Sequence, residues 1–248
     1  MIIGFDGKRA VSNLTGLGNY SRLVLEELSG AFPDVEMRAY TPRLRDNARL
    51  ATLRQGPKVR FELPVKQPLE PAAVWRTWGL PAQLRNDGVT LYHGLSNELP
   101  LSIRKAGIPS VVTVHDVIYR TMPECYSVID RKLYDWKYGC SCRFADRVIA
   151  ISECTKRDIM RFYGVPEEKI AVLYQGCAPQ FKRQRRDPEQ EDVRRRLALP
   201  QRYTVQVGPI KPHQHLEHTL HAPPTLPAAL HPAAVGRHTP SLPMTTQL

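Results

Sequence analysis

An unbroken run of β-branched residues near the middle of the chain constrains the fold most. It extends from Val111 to Val114 and follows Pro109. A strand with one face in water alternates apolar and polar residues, whereas a strand covered on both faces of a parallel sheet has a continuous apolar run. We therefore predict that residues 111–115 form an inner strand of a parallel sheet with helices on both faces.

Strand and helix patterns alternate along the first 180 residues. Short apolar segments predict further strands at residues 2–5, 35–40, 59–63, 90–93, 147–152 and 170–174. Helical periodicity marks residues 20–31, 74–84, 128–144 and 153–163. This alternation predicts an α/β fold, a Rossmann-like doubly wound and mainly parallel sheet, in a domain covering residues 1–180.

The two helices after the central strand have specific sequence signals. Ile129, Leu133 and Trp136 recur on one side of the first helix together with Cys140, a pattern that predicts a face in the core. Ser152 is placed to cap the second helix, and the segment Gly164-Val-Pro166 ends it.

Composition limits the class of protein. The 248 residues are 42% hydrophobic, and the chain contains no apolar run of the roughly 18 residues that a membrane span needs. The first residues have neither the basic start nor the apolar core of a signal peptide, so we expect a cytoplasmic location. Five cysteines without a CxxC pair indicate free thiols and no zinc or redox site.

The net charge of +11 indicates a surface that attracts anions. Nucleic acid, anionic lipid and phosphorylated small molecules all fit that charge. Basic clusters at residues 182–186 and 194–196 flank an acidic stretch, which predicts a charged linker over residues 181–200. Because no aromatic residues are interleaved with these clusters, we do not expect a nucleic-acid groove there.

Titratable residues follow the central strand directly. In an open parallel sheet, ligands bind beyond the carboxyl ends of the strands, where His115 and Asp116 are placed. Gly16 and Gly18 precede a predicted helix, where glycines and free N–H groups suit a phosphate. An ordinary glycine turn and a histidine bonded only to backbone explain the same residues without a ligand.

Several segments taken together resemble a family 4 glycosyltransferase of the GT-B class, similar to mannosyltransferases. They are residues 3–6 (IGFD), 15–20 (TGLGNY), 91–100 (LYHGLSNELP), 112–116 (VTVHD) and 145–152 (ADRVIAIS). The resemblance implies two Rossmann-like domains facing across a cleft, with the acceptor held mainly by the first and a nucleotide-sugar by the second. It also implies sugar transfer with retention of configuration and no need for a metal or other cofactor.

The resemblance assigns roles to individual residues. His115 would contact the transferred sugar and Asp116 would hold the following loop. The donor phosphates would lie near Gly16, Gly18, Asn19 and Tyr20, and the acceptor side would be shaped by His93, Asn97 and Glu98. The partners implied are a nucleotide-sugar and a saccharide or lipid-linked acceptor, and the latter is compatible with peripheral contact at the inner face of a membrane.

The last 48 residues depart from the family pattern. Residues 203–208 resemble the first strand and glycine turn of the donor domain, but His213 and Gln214 stand where an Arg-Lys pair is expected, which leaves Lys211 as the candidate donor cation. Prolines follow, and the remaining length is too short for a second domain. We therefore expect residues 201–248 to be a truncated or diverged remnant with a Pro/His-rich tail, and its clustered histidines favour a tail over a metal site.

Three functions stay open at this point. The first is a glycosyltransferase whose activity is impaired by the incomplete second half. The second is a non-enzymatic, acceptor-binding half that needs a separate donor domain. The third is a basic protein that binds nucleic acid or a membrane surface.

Overall fold

Seven parallel strands dominate the part of the chain that the structure describes. The structure is a computed structural model, and it describes residues 1–45, 48–50, 53, 59–65, 71–177, 179–199, 203–207 and 231–235. The seven strands are β1 (Ile2–Asp6), β2 (Glu36–Tyr40), β3 (Val59–Glu62), β4 (Leu91–Gly94), β5 (Ser110–Val114), β6 (Arg147–Ala150) and β7 (Ile170–Val172). The predicted α/β Rossmann-like fold is confirmed.

The strand order places a switch point beside β1. The order is β3-β2-β1-β4-β5-β6-β7, and every neighbouring pair is parallel. The chain winds outward in one direction from β1 and in the other from β4. Loops at the carboxyl ends of these two strands therefore diverge and leave a crevice, which is where doubly wound folds bind their ligands.

Helices connect the strands. They are α1 (Lys8–Ser12), α2 (Gly16–Ala31), α3 (Ala72–Val74), α4 (Leu80–Asn86), α5 (Ile118–Thr121), α6 (Val128–Phe144) and α7 (Glu153–Tyr163). A π-helical segment, Trp75–Gly79, joins α3 to α4. Single π-helical turns within helices are rare and frequently occur at functional sites.

Two clusters of buried side chains form the core. One contains Phe5 of β1 and Leu25 of α2, and the other contains Val112 of β5 and Ile159 of α7. All four of these side chains are fully buried. Ser152 caps α7 by accepting a hydrogen bond from the backbone of Thr155 at 3.1 Å, as predicted.

The predicted core face of α6 is wrong. Ile129, Leu133 and Trp136 are 80%, 41% and 51% exposed, whereas the buried residues of this helix are Gly139, Ser141 and Cys142. The helix approaches the rest of the unit through small side chains near its C-terminal end. A Cβ on Gly139 would lie 3.2 Å from the Tyr163 ring, so this contact leaves little room for larger residues.

The chain divides at Gly176 into two units, Met1–Gly176 and Cys177–Leu248. The second unit contains α8 (Pro179–Lys182), α9 (Asp187–Arg196), β8 (Tyr203–Val207) and β9 (His231–Val235). Exposed α9 has intrahelical ion pairs such as Arg195–Asp192 at 3.0 Å. Strand β9, which contains Pro232, pairs in parallel with β8 and was not expected in a proline-rich tail.

Candidate functional site

His115 lies directly beyond the carboxyl end of β5 and is 7% exposed. Its Nε2 is 2.9 Å from the carbonyl oxygen of Leu95. Because a carbonyl can only accept, Nε2 carries the proton, and Nδ1 is left as an acceptor. The side-chain amide of Gln175 donates to Nδ1 at 3.0 Å. Burial lowers the pKa of His115, which keeps the imidazole neutral.

The loop between β4 and β5 holds His115 in place. Gly94 begins this loop, and a Cβ there would lie 2.3 Å from the carbonyl oxygen of Glu98, so the chain folds back tightly on a glycine. Asn97 has a left-handed backbone, with φ of 64°. Its backbone N–H donates to the Thr113 carbonyl at 2.9 Å, and its Oδ1 accepts from the His115 backbone at 2.8 Å. The loop and the end of β5 are thus one hydrogen-bonded unit.

Tyr20 and His93 meet at Thr113, on the side of β5 next to His115. The Thr113 hydroxyl is 2.9 Å from His93 Nε2 and 3.1 Å from the Tyr20 hydroxyl. The Tyr20 ring also meets His115 edge-on, with ring centroids 4.7 Å apart. Burial lowers the pKa of His93 to about 4, so this histidine is neutral. The structure therefore brings three of the predicted site residues, Tyr20, His93 and His115, together at the end of β5.

Asp116 is exposed next to His115, and its Oδ1 accepts a hydrogen bond from the backbone of Ile118 at 3.2 Å. The carboxylate therefore ties down the start of the following loop.

Gly16 and Gly18 lie within the first turn of α2 and not on the approach to it. A Cβ on Gly18 would lie 1.8 Å from the Asn13 carbonyl oxygen, so the glycine is needed for a close backbone contact. The Asn13 side chain accepts from the Gly18 backbone at 3.2 Å. The Asn19 side chain accepts from Arg22 at 2.6 Å. The donor roles of these residues stay predictions, and Lys211 lies outside the described residues.

A polar pocket that the sequence did not indicate lies beside the loop. Arg76 Nη2 is 2.7 Å from Asp6 Oδ2 and 3.5 Å from Glu98 Oε2. Tyr92 and Lys137 line the same pocket. Asp6 raises the pKa of the Arg76 guanidinium, so the arginine is charged. Arg76 comes from the π-helical segment 70 residues after Asp6, and no local pattern relates the two.

The described part of the chain contains neither a metal-ligand cluster nor a helix that could span a membrane. No group of three or more His, Cys, Asp or Glu side chains there is arranged to hold a metal ion. Within the same residues, no helix combines the length and the apolar character that crossing a bilayer requires.

Comparison with known proteins is informative at the level of family and fold. The model of glycosyltransferase family 4 matches residues 15–181. HepE from Anabaena, in complex with UDP and glucose, is 18% identical with a TM-score of 0.62 over 96% of this chain and 61% of HepE. WaaG, a glycosyltransferase involved in lipopolysaccharide biosynthesis, is 15% identical with a TM-score of 0.59 over 97% of this chain and 64% of WaaG.

HepE in complex with UDP-glucose gives nearly the same result, with 19% identity and a TM-score of 0.61 over 95% of this chain and 60% of HepE. At these identities the likeness shows the fold alone. The chain spans less than two thirds of the length of each of these proteins. A sequence comparison with curated proteins finds no match.

Proposed function

The chain belongs to glycosyltransferase family 4, and we propose that it transfers a sugar from a nucleotide-sugar donor to a saccharide acceptor with retention of configuration. The observation that carries the proposal is the position of His115. It lies at the carboxyl edge of the sheet, inside the matched region, with both ring nitrogens oriented by hydrogen bonds. A preorganised group at this edge suits a reaction that depends on positioning.

In the proposed reaction the bond between the sugar C1 and the diphosphate oxygen breaks, and the electron pair leaves with the nucleoside diphosphate. The acceptor hydroxyl oxygen bonds to C1 on the face that the diphosphate leaves, and its proton passes to the departing phosphate. The protein's task is to hold these groups and to stabilise the charge that develops.

A neutral His115 fits this task through its Nδ1 atom. Nδ1 accepts a hydrogen bond, and its present donor is the exposed amide of Gln175. A hydroxyl of the transferred sugar would take the place of that amide. Because the proton on Nε2 is held by the Leu95 carbonyl, the ring is kept in the tautomer that accepts at Nδ1.

The donors to test follow from the comparisons and from the sequence. HepE was crystallised with UDP-glucose, and the motifs of this chain resemble those of mannosyltransferases. UDP-glucose and GDP-mannose are therefore the first two donors to test, and mannose as the transferred sugar stays part of the proposal.

The test is nucleotide release and sugar transfer by the 248-residue chain, compared with His115→Ala and with Lys132→Gln as a control. Lys132 is exposed on α6. We expect His115→Ala to reduce turnover at least 100-fold, about 2.7 kcal/mol of transition-state stabilisation, and Lys132→Gln to leave it unchanged. Turnover that survives His115→Ala in a folded protein would contradict the role of His115.

A second candidate is an acceptor-binding protein without transferase activity of its own. His213 and Gln214, which stand where the resembled family has an Arg-Lys pair, favour it. A folded chain that binds saccharides but neither binds nor turns over any donor would support this candidate against the first.

Peripheral contact with a membrane is a further part of the proposal, and the net charge of +11 supports it. Sedimentation with vesicles containing anionic lipid tests this contact. Binding that disappears at high salt is the expected result, and no binding at low salt would contradict it.

A further inference from the structure

His93, Thr113 and His115 lie on the face of the sheet that helix α2 covers. His93 of β4 is in register with the residue of β5 two positions before Thr113, and Phe5 of β1 is in register with His93. Phe5 packs in the same core cluster as Leu25 of α2. Because side chains alternate along a strand, Thr113 and His115 share this face. His115 is thus the last residue of β5 and its extension on the α2 side of the sheet.

Thr113 places a hydroxyl group in a run of valines. Its side chain is fully buried, where a valine would pack without the cost of removing a hydroxyl from water. Its Oγ1 is 2.9 Å from His93 Nε2 and 3.1 Å from the Tyr20 hydroxyl. A hydroxyl donates one hydrogen bond and accepts others, so Thr113 can bond both groups at once. Tyr20, Thr113 and His93 therefore form one hydrogen-bonded network from α2 to β4.

His93 is enclosed at the inner end of this network. It is 8% exposed, and the centroid of its ring is 5.9 Å from that of Phe5, which is fully buried. A ring enclosed in this way influences the cleft most directly through the residue that it bonds, which is Thr113.

The outer end of the network is the Tyr20 ring, which restrains His115. The two rings meet at 90° with centroids 4.7 Å apart. The hydrogen bond from His115 Nε2 to Leu95 fixes one atom of the imidazole, and the exposed Gln175 amide fixes the other nitrogen. In the proposed reaction a sugar hydroxyl takes the place of Gln175, and the Tyr20 ring then limits the tilt of the imidazole about its bond to Leu95.

We infer that His93 and Thr113 are positioning residues for His115, on which they act through the Tyr20 ring. The inference rests on the proposed function in taking His115 as the residue that contacts the transferred sugar. His93 then contributes without touching the acceptor, which differs from the role that the family resemblance implies. Thr113, to which the resemblance assigns no role, joins the two histidines.

Three variants separate the hydroxyl of Thr113 from its packing. Thr113→Val removes the hydroxyl and keeps the branched shape, and Thr113→Ser keeps the hydroxyl and removes a methyl group. Tyr20→Phe removes only the hydroxyl at the outer end. We expect kcat to fall about tenfold in Thr113→Val and in Tyr20→Phe, with the donor KM within about twofold, and to stay within about threefold in Thr113→Ser. A packing role predicts the opposite order, because only serine leaves a cavity.

A double variant tests whether Thr113 and Tyr20 act as a unit. Thr113→Val with Tyr20→Phe should lose about as much kcat as either single variant, because both remove the same hydrogen bond. A loss that multiplies to about a hundredfold would overturn the inference. Tyr40→Phe is the matched control, since that hydroxyl bonds Asp87, outside the network, and kcat should be unchanged.

NMR of the histidine rings measures the positioning without substrate. The spectrum of His115→Ala identifies the His115 signal. We expect Thr113→Val and Tyr20→Phe to shift and broaden this signal, and Thr113→Ser and Tyr40→Phe to leave it in place. An unchanged His115 signal in folded Thr113→Val would overturn the inference even if turnover falls. If Thr113→Val does not fold, Tyr20→Phe decides the same question, because it removes a single hydroxyl oxygen.

The two hypotheses fail separately. A wild-type chain that turns over no donor removes the proposed function, and the ring signals then decide whether the network positions His115. Turnover that depends on His115 but is unchanged in folded Thr113→Val leaves the proposed function and overturns this inference. Thermal melting of each variant shows whether the fold is kept.

Discussion

Replacement of Gly94 by alanine tests whether the loop that orients His115 requires a residue without a side chain at this position. The new Cβ would lie 2.3 Å from the Glu98 carbonyl oxygen and 2.9 Å from Leu99 Cδ2. The first of these neighbours is backbone and has no alternative rotamer. Since ordinary contact begins at 3.4 Å, the loop must move by about 1.1 Å.

The expected cost combines strain with lost hydrogen bonds. Overpacking of a filled site costs about 1–3 kcal/mol. The same movement weakens the hydrogen bonds that His115 donates to the Leu95 carbonyl and to the Asn97 side chain, each contributing about 1 kcal/mol. We expect Gly94→Ala to lower the free energy of unfolding by about 3 kcal/mol, a large part of the 5–15 kcal/mol of a typical domain.

Urea unfolding measures this loss, and NMR titration of the His115 ring measures its local effect. Burial is the largest cause of the lowered pKa of His115 and outweighs the hydrogen bond to Leu95, which raises it. A loop movement that exposes the ring is therefore expected to raise the pKa toward its ordinary value, although the weakened Leu95 bond acts in the opposite direction. Gly30→Ala is the matched control, because nothing lies within 4 Å of its Cβ within helix α2. It should stabilise the protein by up to about 1 kcal/mol.

Two results would refute this reasoning. One is an unfolding free energy of Gly94→Ala within about 0.5 kcal/mol of the wild type, as for an ordinary surface substitution. The other is an unchanged His115 titration in the folded variant. Either would mean that the loop accommodates a Cβ without moving away from His115.

Two further predictions concern pH and the outer face of α6. The pKa of His93 is about 4 in the folded protein and ordinarily 6.5, so the unfolded chain binds a proton more readily. The free energy of unfolding should therefore be highest above pH 6.5 and fall by about 3 kcal/mol as the pH drops to 4. A His93 titration by NMR with a midpoint near 6.5 would contradict this. Because Trp136 is 51% exposed, Trp136→Ser should lower the free energy of unfolding, measured in urea, by less than about 1 kcal/mol. Ile159→Ala, in the core, should lower it by about 2–5 kcal/mol. Equal losses for the two variants would mean that α6 buries Trp136.

Much of the architecture was predictable because short sequence patterns determine the individual strands and helix ends. The β-branched run before His115 identified an inner strand, and the structure places Ser110–Val114 between β4 and β6. Ser152 and Gly164 marked the two ends of α7. Ser152 caps the N-terminus of the helix, and Gly164 follows its C-terminus with φ of 63°. Each signal depends on residues close together in sequence, so the sequence was sufficient.

The face that α6 buries was not predictable from its own residues. Ile129, Leu133 and Trp136 share one side and predicted a core contact, but the helix packs through Gly139 and its small neighbours. Periodicity shows that a helix has an apolar side, and it does not show whether any element lies against that side. The partner's position decided the outcome.

The sequence by itself determined the class of sheet, the order of its elements and the position of His115 at a strand end. Only the tertiary structure decided what surrounds that histidine and which distant groups form the pocket beside it. Gln175 is 60 residues from His115, and Arg76 is 70 residues from Asp6. Contacts at such separations depend on how several elements pack at once, and no short pattern records that packing.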